Sequence, residues 1–257
     1  MTFLVDIGWI LAIGLIALRV GAVFALTPLF AFGGVPVNVR VLFILALSAM
    51  LMATLRTSGL ALHHASLGDV FVAAASELVL GGLLAFGVFT AFAAFQFAGR
   101  IMDMQMGFGV ASLIDPSTRT SAPLLGTVLN LVAVVVFFAI DGHHMIIRGL
   151  AFSLDRIPPG TPLPDIDPAV VLAQFGGMFV FALMLAAPVM FAMLLVDVAM
   201  AVTARTMPQM NVFIVSLPIK ILVGLATLVI TLRYLNPAMG RIFESLFDYW
   251  HSLLAGS

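Results

Sequence analysis

Long apolar runs separated by short polar connections set the pattern of this chain. A helix that crosses a bilayer takes about 20 mostly apolar residues. Six runs meet or approach that length, over 7–32, 37–55, 70–98, 124–140, 170–202 and 212–235. The pattern then changes. Over 240–254, Ile242, Phe243, Leu246, Phe247 and Trp250 share one helical face while Arg241, Glu244 and Asp248 occupy the other. That predicts an amphipathic helix at an interface or against a partner. The predicted fold is all-α, a polytopic membrane protein with about six long, partly kinked apolar helices and a C-terminal amphipathic helix. One membrane-embedded domain is expected over 1–257. Its first four helices and a loop at 99–123 fall in 1–140, and its last two long helices and amphipathic tail in 170–257.

Three connections carry information. The first, over 99–123, contains the run Met102-Asp-Met-Gln-Met-Gly-Phe-Gly-Val110. The second holds Pro158, Pro159, Pro162, Pro164 and Pro168, which predicts a stiff extended loop that holds its flanking spans apart. The third, over 203–211, is unusually polar for a membrane hairpin tip, with Arg205, Pro208, Gln209 and Asn211 close together. Pro28, Pro188 and Pro218 fall inside apolar runs, where each removes a backbone hydrogen bond that lipid cannot replace.

Composition agrees with a lipid solvent. The chain has 257 residues, 63% hydrophobic and 9% charged, against about 45–50% apolar and about 25% charged in an average soluble domain. The net charge of −1 offers no basic surface for nucleic acid. Without cysteine there is no disulfide, thiolate metal site or cysteine nucleophile. The first residues lack a basic region ahead of a long apolar run, which reads as a retained helix rather than a cleaved signal. With six spans, Arg56, Arg148, Arg156, Arg233 and Arg241 fall on one side and Arg40, Arg100, Arg119 and Arg205 on the other, so the positive-inside rule gives no orientation.

Arg19, Glu77, Asp197 and Lys220 lie within or near the ends of apolar runs. A charge at a helix centre costs roughly 2.5–3.5 kcal/mol on insertion scales, so these four should face protein, water or one another. Two are positive and two negative. Structural ion pairs, a polar conduit lining and a proton relay are all compatible with them. Fifteen methionines suit irregular packing, and Met102, Met104 and Met106 serve either as filler or as a deformable seal. His63-His64 and His143-His144 are adjacent pairs. Neighbours on a helix point about 100° apart, so no metal site or cofactor is expected, and no common catalytic motif is present.

Several blocks, in order along the chain, carry a family resemblance. They are Glu77-Leu-Val-Leu-Gly-Gly-Leu-Leu-Ala-Phe-Gly, then Gly99-Arg-Ile-Met-Asp-Met-Gln-Met-Gly-Phe-Gly with Asp115-Pro116, then Gly142-His-His-Met-Ile-Ile-Arg-Gly-Leu. The last and most distinctive comprises Arg205, Pro208-Gln209-Met-Asn211-Val-Phe213 and Pro218-Ile-Lys220-Ile with Gly224. Together they resemble the FliR family of flagellar biosynthesis proteins, whose injectisome counterpart is the SctT family. The chain departs from the family pattern at Asp197 and Asp141, where Asn-like residues are usual, and at Val110 and Leu113, where relatives can carry phenylalanine.

The resemblance implies a non-enzymatic subunit of the flagellar type III protein export gate in the bacterial inner membrane, at the flagellar basal body. It implies assembly with FliP and FliQ, as five FliP, four FliQ and one FliR, next to FlhB and FlhA, in a conduit for unfolded flagellar proteins. The 99–123 segment would be a pore loop, with Met104, Met106, Phe108, Val110, Leu113 and Ile114 as plug or gasket. Arg19, Glu77, Asp197, Arg205, Gln209, Asn211 and Lys220 would make intramembrane polar or subunit contacts. An injectisome subunit of the SctT type is the alternative, followed by a secondary transporter of a small solute.

Overall fold

The computed structural model describes residues 7–27, 35–54, 66–108, 123–207, 209 and 211–255. Among the described residues there are seven helices and no strand. They are α1 (Ile7–Leu26), α2 (Val37–Thr54), α3 (Leu67–Met106), α4 (Leu124–Ala139), α5 (Gly142–Arg156), α6 (Pro168–Thr206) and α7 (Val212–Ala255). Gly8–Ala25, Leu67–Met106, Pro168–Thr206 and Ile214–Arg233 are long and apolar enough to span a membrane, and α4 with α5 makes a fifth if the pair is one broken span. The all-α, polytopic architecture matches the expectation.

Element lengths differ from it in instructive ways. At 1.5 Å per residue, the 40 residues of α3 reach about 60 Å, twice the roughly 30 Å of a hydrocarbon core. The run expected to open the 99–123 loop instead continues α3 as far as Met106. Pro218 and Pro237 both lie inside α7, which joins the sixth apolar run and the amphipathic tail in one 44-residue helix. Pro188 likewise lies inside α6, and Pro28 falls outside the described residues. α2 is a short apolar helix, and α4 reaches spanning length only together with α5. The proline-rich loop is not extended throughout. It opens with a turn in which the Thr161 N–H donates to Pro158 O, and Gly160 takes φ +86° there.

The chain divides into two compact units. One comprises Met1–Thr90, Asp141–Gln174 and Ser245–Ser257, and the other Ala91–Ile140 and Phe175–Glu244. In the first, α1 packs on α2 and against α3. Gly81 makes the second contact possible, since a Cβ there would lie 2.7 Å from Arg19 O. The end of α7 closes this unit. Tyr249 Oη donates to Leu83 O at 3.0 Å, and Trp250 Nε1 to Leu84 O at 2.9 Å. Burial pushes the Tyr249 hydroxyl up to about 12.

The second unit centres on Phe92, Phe95, Phe137 and Phe243, whose ring centroids stand 5.4–5.7 Å apart. Beside them α3 and α4 cross backbone to backbone. A Cβ on Gly99 would run into the main chain of Leu125 and Gly126. The predicted two-faced pattern of the tail holds, with Ile242, Phe243, Leu246 and Trp250 buried and Arg241, Glu244 and Asp248 exposed. Its apolar face is covered by the chain itself, rather than by an interface or a partner.

These contacts separate two kinds of helical glycine. Gly99→Ala should lower the thermal midpoint of the detergent-solubilised protein, because backbone must move to admit the methyl group. Gly82→Ala, with nothing within 4 Å of the new atom, should be neutral or raise stability by about 0.5–1 kcal/mol. Equal midpoints for the two variants would contradict the close crossing of α3 and α4.

Candidate functional site

The four charges flagged in the apolar runs form two ion pairs. Arg19 and Glu77 are fully buried in the first unit. Arg19 Nε donates to Glu77 Oε2 at 2.6 Å, and Nη2 donates to Oε1 at 2.9 Å, the bidentate fork that suits a guanidinium and a carboxylate. The remaining donors reach the end of α5. Nη1 bonds Ser153 O at 3.0 Å and Ser153 Oγ at 3.3 Å, while Nη2 bonds Ile157 O at 2.9 Å. A cation therefore sits where the carbonyls of α5 run out, the favourable end of the helix dipole. Glu77 Oε1 also accepts the Gly160 N–H at 3.3 Å, which pins the proline-rich loop to α3.

The second unit contains a mirror arrangement. Pro123 precedes α4 and supplies no side-chain cap. The buried Asp103 of α3 supplies it instead. Its carboxylate accepts the Leu125 N–H at 3.1 Å and the Gly126 N–H at 3.4 Å, an anion on the positive end of a helix. The Gly99 crossing, one turn earlier, brings α4 within reach. Met106 closes α3, fully buried over Gly224 of α7, and Leu217 covers Gly107, which takes φ +85°.

Lys220 Nζ meets Asp197 Oδ1 at 2.6 Å, and this pair is partly exposed, Asp197 more than Lys220. Asp197 also borders a groove of about 550 Å³ with Gln105, Leu183, Met190, Phe191 and Leu194.

The other expected site residues are dispersed. Met104 is exposed and Phe108 half-buried, whereas Met106 is packed inside the second unit and faces no open space. Val110, Leu113 and Ile114 lie outside the described residues. Arg205, Gln209 and Asn211 are exposed at the α6–α7 turn, where Asn211 O accepts the first N–H bonds of α7. The adjacent histidines contradict the simple angular argument. Asp141, His143 and His144 bring ligand atoms within 4.8 Å of one another, with Asp141 in a left-handed conformation just ahead of α5.

Asp103 and Ser153 went unmarked by sequence reasoning. An acid between methionines twenty residues ahead of Pro123 is a recoverable signal, because a proline-started helix needs a foreign cap. A buried serine at a helix end leaves no such trace.

Removing one partner of a buried pair costs about 3–5 kcal/mol, because the other charge is left unpaired. Glu77→Gln should therefore reduce the yield of monodisperse protein and its thermal midpoint sharply, and Arg19→Met combined with Glu77→Leu should recover part of the loss. A single variant as stable as the parent would contradict the buried geometry.

The chain also matches known proteins along most of its length. Residues 10–246 fit the family model for bacterial export proteins, family 1. The flagellar biosynthetic protein FliR of Bacillus subtilis (strain 168) is 30% identical over 94% of this chain and 93% of its own length. That of Escherichia coli (strain K12) is 27% identical over 68% of this chain and 67% of its own. The Yop proteins translocation protein T of Yersinia pestis is 31% identical over 60% of each. The matched stretch takes in the Arg19–Glu77 pair, the Asp103 cap, the Asp197–Lys220 pair and the start of the amphipathic tail, and it places this chain in family 1 of the bacterial export proteins.

Proposed function

We propose that this chain is a membrane-embedded, non-enzymatic subunit of the flagellar type III export apparatus. It forms, with FliP and FliQ, the gate through which unfolded flagellar proteins cross the inner membrane at the basal body, beside FlhA and FlhB. Family membership over nearly the whole chain is the observation that carries this reading, and the resemblance supplies the partners and the ratio of five FliP to four FliQ to one copy of this chain. Surface burial supports an assembled role. Only 28% of the most apolar window of α6, and 11% of Ile214–Arg233, is buried by the chain itself.

The solute-transporter reading is weaker. It asks for intramembrane charges that can bind an ion or solute, whereas Arg19 is engaged with Glu77, and Lys220 with Asp197. The SctT-type reading shares the gate mechanism and differs in cargo.

Within the gate, the 99–123 stretch supplies the deformable seal, with Met104, Phe108, Val110, Leu113 and Ile114 as plug or gasket residues and Met106 as the anchor at its base. A narrow apolar constriction excludes ions by dewetting yet yields to a polypeptide. Arg205, Gln209 and Asn211 meet neighbouring subunits.

Deleting residues 108–114 from an assembled gate should raise membrane ion conductance; unchanged conductance with intact assembly would sink the seal. Gln209→Ala with Asn211→Ala should reduce co-purification of FliP and FliQ, and normal recovery of both would reduce 203–211 to a plain connection.

A further inference from the structure

The function proposed above leaves Asp141, His143 and His144 unused. Asp141 is the non-glycine residue with positive φ among the described residues, at φ 58° and ψ 28°. This left-handed conformation is one that Asp and Asn tolerate better than most residues. It turns the Asp141 carboxylate toward the first turn of α5, where Oδ1 stands 3.4 Å from His144 Nδ1. That separation is long for a charge-assisted hydrogen bond, which runs about 2.7–2.9 Å. It is close to the spacing of two donors on one tetrahedral ion: atoms about 2.0–2.1 Å from the metal at tetrahedral angles lie roughly 3.3 Å apart.

The third donor is at hand. The imidazoles of His143 and His144 stand with centroids 4.1 Å apart at 37°, and one ligand atom from each of the three residues falls within 4.8 Å of the others. Asp141 and His144 are exposed and His143 half-buried, so a hydrated ion can reach the cluster and keep water in a fourth position. Two imidazole nitrogens and one carboxylate oxygen suit Zn²⁺, Ni²⁺ or Cu²⁺. Mg²⁺ and Ca²⁺ take oxygen ligands.

We propose that Asp141, His143 and His144 form an open three-ligand site for a divalent transition-metal ion of the Zn²⁺ class. A bound ion ties the residue ahead of α5 to the helix's first turn and offsets the cost of the left-handed backbone at Asp141.

The test uses the full-length chain with its co-purifying partners, free of any affinity tag and stripped with chelator. Zn²⁺ binding is followed by calorimetry and Co²⁺ binding by visible absorption. One ion per chain is expected, with the Co²⁺ bands of a low-coordinate nitrogen–oxygen site. Asp141→Asn, which keeps a side chain tolerant of the left-handed backbone, and His144→Ala should each weaken binding by at least about tenfold, the scale on which even outer-shell changes act. The exposed His251→Ala should leave it unchanged. Absence of saturable Zn²⁺ binding overturns the proposal, as does binding equally tight in Asp141→Asn and His144→Ala proteins that elute like the parent.

Discussion

Arg19 has to be neutralised, and much of the first unit follows from how that is done. A guanidinium without water must satisfy a charge and five N–H groups. Here Glu77 on α3 takes two of its bonds, and Ser153 and Ile157 at the end of α5 take the others. Those partners come from elements far apart in sequence, so one residue fixes the mutual placement of α1, α3, α5 and the loop after α5. The arrangement depends on Gly81, one turn beyond Glu77, because any side chain there would push α1 away and lengthen both bonds of the fork.

The far end of α3 repeats the device with opposite polarity. Gly99 admits α4, and Asp103, one turn on, receives the helix's free N–H groups. In both places a side-chain charge in an apolar interior sits on the helix end whose partial charge opposes it. Groups at a helix end lack intrahelical partners and are costly to bury alone, so charge and helix end each supply what the other needs. Glycine–acid spacing of one turn is what lets a mostly apolar helix offer such a charge without parting from its neighbour.

The sequence carried the helical class, the membrane character, the existence of two positive and two negative groups within the apolar helices, and the two faces of the tail. Run length and period report those directly. It did not carry the reach of α3 and α7. Polar residues near Arg100 and the proline at 237 look like breaks when lipid is assumed, yet α3 and α7 run on through them. α5 escaped because a 15-residue helix with charges on one side resembles a loop in an apolar scan. At the site, charge balance made pairing readable, but the choice of Arg19 with Glu77 and Lys220 with Asp197 needed three dimensions. The packing of Met106 did as well, because a methionine beside a glycine-rich loop fits filler and seal alike.

The membership of the first unit bears on how this protein is made. Residues 245–255 contribute Tyr249 and Trp250 to the same body as α1, α2 and the first part of α3, yet a ribosome delivers them only after about 150 further residues have followed Thr90. The Tyr249 and Trp250 side chains that add bonds to Leu83 O and Leu84 O are made only after α4, α5 and α6. The earliest-made helices of this chain are thus among the last to be completed, and translation reaches the second unit's helices while the first still stands open.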